Sequence, residues 1–377
     1  MVKPVVAFVV GTRPDTIKSA PVILELQRYA DKIDTVVIAT GQHREMLRQA
    51  LDVFSIEPDL DLAIMQAGQS LADITTRTLS GLEKFFHERH VDLVLAQGDT
   101  TTTFTAGLAS FYRQIPFGHI EAGLRTNSIW NPFPEEFNRR AVSMFSKFHF
   151  APTTESAQNL ADEGIVDGVF VTGNTGIDAV KLVASLSRVE YEPDHDGPVI
   201  LLTTHRRENW GEPQESICRA ARRLLDTFED AILICPMHRN PDVREVLVRH
   251  LGDHPRTRLI EPPDYSDFVP LMRRSTIILT DSGGVQEEAP AFGIPVLVLR
   301  ETTERPEGVT AGVAKLVGTD EEKIFSEASE LLSHPKKYAE MAQARSPYGD
   351  GRAAMRIRFA IMNSFGLKSP AEDLWTS

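Results

Sequence analysis

Cysteine is nearly absent. Cys218 and Cys235 are the only two in 377 residues, and they do not form a CxxC pair. No disulfide framework can be built from them, and they are expected to be reduced thiols of a cytoplasmic protein. Positive charge is in deficit as well: 40 Lys and Arg against 53 Asp and Glu leave a net charge of −13. That balance argues against nucleic acid or an anionic membrane as partner, because both leave a basic footprint. An anionic ligand would need a local pocket of cations. Long apolar runs are missing too. The first, "VVAFVV" (5–10), stops at Gly-Thr-Arg-Pro and reads as a strand, neither a signal peptide nor a membrane span. There is no GxGxxG after it, and His205 and His238, which follow later strands, do not have zinc-ligand spacing, so neither a cofactor nor a metal is expected.

What is present is alternation. Residues 4–10, 35–39, 92–96, 116–120, 147–151 and 168–172 are short β-branched runs, expected as strands. Between them, "DTIKSAPVILELQRYA", "HREMLRQALDVF", "SLADITTRTLSGLEKFFHER" and "TTTFTAGLASFYRQ" carry apolar residues at helical spacing. The polar, turn-rich "YEPDHDGP" (191–198) interrupts the series. It then restarts with "VILLTT", "AILICP", "TRLIEPP", "TIILTD" and "IPVLVL". Repeated βα units predict an α/β fold of two Rossmann-like domains with parallel sheets, facing a central cleft. We place the N-terminal domain at 1–172, with a C-terminal helix of about 355–377 packing back, and the second domain at 173–354. Ligands of such sheets sit at the carboxyl ends of the strands, so the strand-end sequences are where chemistry is sought.

Six strand ends, and one loop that leads into a helix, carry charged or glycine-rich motifs. "VVGTRPDTIKSAP" supplies a turn glycine, Gly11, then Arg13 for a bidentate anion contact and Lys18 a turn later; Asp15 is the expected cap of that helix. "AQGDTTTTF" presents Asp99, which as an isolated feature reads as a plain N-cap. In "GHIEAGLRT", His119 and Glu121 follow an apolar strand where packing does not explain them, and a carboxylate there suits proton transfer. Glu135 and Glu136 in "WNPFPEEFNRR" open a helix, where the dipole favours them, but Glu135 shares its end of the sheet with Asp99 and Glu121. "LLTTHRRENWG" brings His205, Arg206 and Arg207 to a strand end, and "CPMHRNPDV" adds His238. "TDSGGVQEEAP" (280–290) delivers Ser282, Gly283 and Gly284 to a helix start, where backbone N–H groups can approach a diphosphate. Glu287 and Glu288 lie within the next turns and suit ribose hydroxyls, and Arg305 adds positive charge. Together these motifs ask for a nucleotide attached to something neutral and hydroxylated. The residues alone leave the reaction open.

"GTRPDTIKSAPV", "TGQHREML", "GDTTTT", "HIEAGLRT", "PFPEEFNRR", "TTHRRENWG", "TDSGGVQEEAP" and "TTERPE" stand here in the order and spacing of one family. Over nearly the whole chain, to "SPYGDG" (346–351), the sequence resembles the non-hydrolysing UDP-N-acetylglucosamine 2-epimerases. The resemblance implies a glycosyltransferase-B type of fold and reversible conversion of UDP-GlcNAc to UDP-ManNAc, by elimination of UDP to 2-acetamidoglucal and re-addition. It also implies a cytoplasmic homodimer that feeds cell-surface polysaccharide synthesis. By the same resemblance Asp99, Glu121, Glu135 and His205 are catalytic, His205 acting on the departing diphosphate. Arg13, Lys18, Arg206, Phe268, Ser282, Gly283, Gly284, Glu288 and Arg305 match UDP-sugar positions, with Glu288 on the ribose. Gln42, Glu45, Arg207 and His238 match a second, activating UDP-GlcNAc site. Three positions depart from the pattern: Asp15 replaces Glu, Glu45 replaces Gln and Gly68 replaces Arg. An added carboxylate and a lost cation weaken anion binding, so altered or absent activation is expected. Two alternatives remain: a hydrolysing relative that releases ManNAc and UDP, disfavoured because no kinase-like addition follows, and a non-catalytic nucleotide-sugar binder.

Overall fold

The structure is a computed structural model that describes residues 3–41, 44–66, 68–126, 128–187, 189–192 and 194–376, with the side chains of 44 and 45 outside the description. The chain divides into two compact units, Met1–Leu182 with Tyr348–Ser377, and Val183–Pro347.

Seven parallel strands form the sheet of the first unit: β1 (Val5–Val10), β2 (Asp34–Ala39), β3 (Leu60–Asp61), β4 (Leu93–Gln97), β5 (Phe117–Ile120), β6 (Phe148–Ala151) and β7 (Val169–Val171). Their spatial order is β3-β2-β1-β4-β5-β6-β7. A parallel sheet needs cover on both faces, so its strands read as unbroken apolar runs. Accordingly Val6 to Val10 are all buried, and Ala7, Val9, Val36, Ile38, Val94 and Phe117 share one cluster with Leu82, Ala106 and Val142 from the covering helices. The helix Ala353–Ser364 also belongs to this unit. Arg358, almost wholly buried, binds Glu25 of the helix Arg13–Gln27 at 2.9 Å. Asp178 accepts hydrogen bonds from the N–H groups of Ala353 and Ala354 at 3.2 and 2.9 Å, which satisfies donors at that helix start.

The second unit repeats the plan with six parallel strands: β8 (Val199–Thr203), β9 (Ile232–Pro236), β10 (Thr257–Ile260), β11 (Ile277–Thr280), β12 (Val296–Val298) and β13 (Ala314–Leu316). Their order is β10-β9-β8-β11-β12-β13. Ile200, Leu202, Leu233, Leu279 and Leu297 pack against the helices Glu212–Thr227 and Glu321–Ser333. Cys218 and Cys235 lie in this core as free thiols, and burial pushes the Cys218 thiol up to about 12. The α/β class with two Rossmann-like units is as the sequence predicts. Two very short strands, β3 and β13, were not expected.

In both sheets the strand order reverses once, between β1 and β4 and between β8 and β11. A crevice opens at the carboxyl edge of such a reversal, where neighbouring crossovers leave on opposite faces. The residues just past these four strands are Gly11–Arg13, Gly98–Asp99, His205–Arg207 and Asp281–Gly284, which are the motifs of interest. Among the described residues no helix is long and apolar enough to cross a membrane.

Candidate active site

The edge of the first unit is a set of carboxylates, most of them held by cations. Gly11 begins it: a Cβ there would lie 2.1 Å from Thr102 Oγ1 and 2.8 Å from Thr40 Oγ1, so only glycine lets the loop sit so close. Asp15 accepts the N–H groups of Gly11 and Thr12 at 3.2 and 2.9 Å, which shapes the loop that carries Arg13. Burial pushes the Asp15 carboxyl up to about 6 in spite of those donors. Arg13 itself is half-buried and makes no ion pair or hydrogen bond among the described residues.

Asp99 is not the N-cap that an isolated reading of "GDTTTT" suggests. Thr100 caps the helix Thr101–Tyr112, its Oγ1 accepting from Thr103 N at 3.2 Å. The Asp99 carboxylate is instead taken by Arg139 at 2.5 Å, and its carbonyl accepts from Asn138 Nδ2 at 2.8 Å. Both partners sit on the helix Glu135–Ser143, so this helix and the Asp99 loop are joined. His119 steadies the loop from below. It is fully buried, burial pushes its imidazolium down to about 3, and the neutral ring donates from Nε2 to Gly98 O at 2.7 Å. Glu135 opens the joined helix, half-buried and without a hydrogen bond or ion pair among the described residues, while its neighbour Glu136 is spent on Arg140 and Thr126 N.

Glu121 follows β5 with φ +66°, the left-handed region that disfavours a residue with a Cβ. The hydrogen bonds Gly98 N to Ile120 O and Ala122 N to Phe150 O hold the chain on either side of it. Its carboxylate accepts from Lys18 on Oε1 and from Gln97 Nε2 on Oε2.

The corresponding edge of the second unit carries cations around one buried carboxylate. Asp281, fully buried at the end of β11, accepts from the backbone N–H of His205 and of Arg206, each at 2.9 Å, and from Asn209 Nδ2 at 3.0 Å. His205 Nδ1 donates to its other oxygen at 2.8 Å. Burial raises such a carboxyl, but these donors outweigh it and Asp281 titrates below its ordinary value. With Nδ1–H committed to Asp281, the ring of His205, two-fifths exposed, presents Nε2.

Gly283 and Gly284 start the short helix Gly283–Glu288. A Cβ on Gly283 would have Arg305 Nη2 at 3.8 Å and Arg206 Nη2 at 3.9 Å as nearest neighbours, so two guanidinium groups flank the glycine. Around Gly284 there is open space. The Ser282 hydroxyl makes no hydrogen bond among the described residues. Arg206 is directed by Glu304 at 3.7 Å, which Arg300 holds bidentately at 3.0 and 3.2 Å, and Arg305 pairs with Glu287. Glu288 is half-buried beyond that pair. A doubly anionic group would find donors on several sides of Gly283 and Gly284.

Of the remaining candidates, Phe268 lies half-buried on a separate helix, Tyr265–Arg274. Arg207 stacks over Trp210 at 5.9 Å, and the ring of His238 is 6.3 Å from that of His205. Gln42 and the side chain of Glu45 lie outside the described residues. Gly68, exposed at φ +69°, has nothing within 4 Å of where its Cβ would be. Among the described residues no group of three His, Cys, Asp or Glu side chains is placed to hold a metal ion. Arg139, Gln97 and Asp281 were missed by the sequence reading. Each acts on a partner many positions away, and Asp281 alone carried a hint, as the last residue of "TIILTD".

Fold and edges define a two-unit α/β protein that sets clamped carboxylates on one sheet and an arginine-lined, glycine-opened helix start on the other. The sequence profile of the UDP-N-acetylglucosamine 2-epimerase family matches residues 25–362. A UDP-N-acetylglucosamine 2-epimerase of Bacillus subtilis strain 168 is 50% identical over 374 residues, covering 98% of this chain and 98% of its own. A solved UDP-N-acetylglucosamine 2-epimerase superposes with a TM-score of 0.92 at 48% identity, over 100% of both chains. The UDP-GlcNAc 2-epimerase of Neisseria meningitidis, solved bound to UDP-GlcNAc, gives a TM-score of 0.83 at 46% identity, covering 95% of this chain and 100% of that one. The chain belongs to the UDP-N-acetylglucosamine 2-epimerase family.

Proposed function

We propose that the protein interconverts UDP-GlcNAc and UDP-ManNAc without releasing free sugar. The hydrogen on C2 of the sugar has no carbonyl beside it, so direct deprotonation is too slow to serve. Elimination solves this. A base takes the C2 proton, the C–H electrons become a C1=C2 double bond, and the C1–O bond breaks to release UDP. Addition of UDP to C1 and a proton to the other face of C2 gives the epimer. Positive charge grows at C1 while negative charge grows on the leaving diphosphate, so the reaction needs carboxylates at one end and cations at the other.

The observation that carries the proposal is that the chain has both sets, one in each unit, with Asp99 in the first and Arg206, Ser282, Gly283 and Gly284 in the second just past the strands where the sheet order reverses. Asp99, Glu121 and Glu135 serve C1 and C2. Arg206, Ser282, Gly283, Gly284 and Arg305 take the diphosphate, with Arg13 and Lys18 completing its charge and Glu288 on the ribose. His205, its ring fixed by Asp281, hydrogen-bonds and protonates the departing phosphate oxygen. Water must be kept from the glycal while it is bound. Phe111, Tyr112, Phe137 and Met144, exposed on or just beyond the helices Thr101–Tyr112 and Glu135–Ser143, support a homodimer through that face, which light scattering at twice the chain mass would verify. A cytoplasmic setting follows from a nucleotide-sugar substrate.

Incubation with UDP-GlcNAc in D₂O tests the reaction. Deuterium at C2 of both UDP-GlcNAc and new UDP-ManNAc, read by proton NMR and mass spectrometry, is the expected result. Free ManNAc with stoichiometric UDP would place the protein with the hydrolysing enzymes instead.

A further inference from the structure

We infer that Gln97 is a positioning residue of the reaction, holding the Glu121 carboxylate in its working orientation; this rests on the role proposed above for Glu121. Gln97 is the last residue of β4, and its side chain is almost wholly buried. Thr103 Oγ1 donates to its carbonyl at 2.7 Å, and β4 is paired with β5 at Gln97 and Ile120, so its backbone is fixed. From that fixed point Nε2 donates to Glu121 Oε2 at 2.5 Å. The acceptor belongs to a residue in a left-handed conformation, whose side chain is therefore aimed by an unfavourable backbone and must be caught on arrival.

Why a glutamine matters beside a lysine follows from charge. Lys18 donates to the other oxygen, but it is an ammonium, and an incoming diphosphate competes for it. Gln97 is neutral and carries no net charge for a phosphate to attract. Its N–H stays on Glu121 whether Lys18 is engaged by the carboxylate or by substrate. With Oε2 occupied, the lone pairs of Oε1 are the ones that handle a proton. A carboxylate free to rotate would divide its time between orientations and lose the near-attack geometry that proton transfer demands.

The test is a double-mutant cycle in the full chain, comparing Gln97→Met, Glu121→Gln and the double variant. Turnover is read as C2 deuterium incorporation, UDP affinity by calorimetry and Tm by scanning. Gln97→Met is expected to lower kcat about 10- to 100-fold while UDP affinity stays within about 3-fold. In the Glu121→Gln background the same substitution should cost less than about 3-fold, because the group it orients is already gone. A purely structural role would cost the same factor in both backgrounds, and that result overturns the inference, as does a Gln97→Met kcat equal to the parent's. Gln97→Glu guards against misfolding of the methionine variant. It has the same size but donates only when protonated, so its kcat relative to the parent should rise as pH falls from about 8 to about 6. A flat ratio contradicts the inference. Full activity of Glu121→Gln would remove the role of Glu121 and the inference with it, whereas an inactive Glu121→Gln beside a fully active Gln97→Met removes the inference alone.

Discussion

The two sheet edges are built from the same topology and do opposite things with charge. In the first unit, carboxylates stand at the edge and each of Asp99 and Glu121 is gripped by a cation from another element, Arg139 and Lys18. In the second, His205 and the arginines stand at the edge and carboxylates hold them, Asp281 the His205 ring, Glu287 Arg305 and Glu304 Arg206. A paired charge is cheaper to hold in a half-buried place than a lone one, so both edges carry partners. Which sign faces the open side differs. The reaction proposed above uses this difference: proton transfer and C1 stabilisation fall to the first unit, and most of the recognition of the nucleotide anion to the second.

The comparison is broken most severely at the first edge. Asp99→Asn and Glu121→Gln should each lower turnover by about 10²- to 10⁴-fold, the usual worth of a positioned acid or base, with UDP affinity retained. Discontinuous assay of UDP-ManNAc alongside calorimetry with UDP checks the pair of outcomes. A matching loss of UDP affinity would deny the division of labour.

Next comes Asp281. Its replacement by alanine strips one buried acceptor from at least four donors, at a cost of about 3 kcal/mol of stability. Thermal melting should show a clear fall, and His205→Gln, which leaves Asp281 with its other donors, should show little. Equal melting of both variants would mean that Asp281 does not organise the loop.

The glycines sharpen the comparison at about 1–3 kcal/mol. Gly11→Ala runs into Thr102 and Thr40 and should lower Tm. Gly284→Ala meets open space and should leave Tm unchanged while weakening UDP binding by about 10-fold or more. If Gly284→Ala bound UDP as the parent does, the diphosphate would not lie over that glycine.

The smallest expected effect lies away from both edges. Burial pushes the Asp178 carboxyl up to about 7, despite the N–H donors of residues 354 and 353. The folded chain then keeps a proton that the unfolded chain has already released near 3.8, and stability from this group is lost as pH rises through about 7. Asp178→Asn removes that slope, so its Tm relative to the parent should rise from about pH 5 to about pH 8. A constant difference across that range would contradict the assignment.

Much of the fold was legible because parallel strands buried on both faces are apolar from end to end; β1, β8 and β11 could hardly be read otherwise. The strands β3 and β13 have two and three residues, too few for any periodicity, and are recruited by their neighbours. The candidate residues could be found at strand ends, yet their states could not. Asp99 reads as a cap until Arg139 and Asn138 are seen to arrive from a helix some forty residues on. His119 reads as a polar residue out of place until its ring is found on Gly98 O. Of the side chains that aim others, Gln97 and Arg139 have no local pattern and Asp281 only its place at a strand end, because what they do depends on strand register and helix placement.

The most direct test of the central claim is a single calorimetric series with UDP on Asp99→Asn, Glu121→Gln, Glu135→Gln, Arg206→Ala and Arg305→Ala. The account predicts parental affinity, within about 3-fold, for the three carboxylate variants and a loss of about 10-fold or more for each arginine variant. Carboxylate variants that lose UDP as severely as the arginine variants would contradict it.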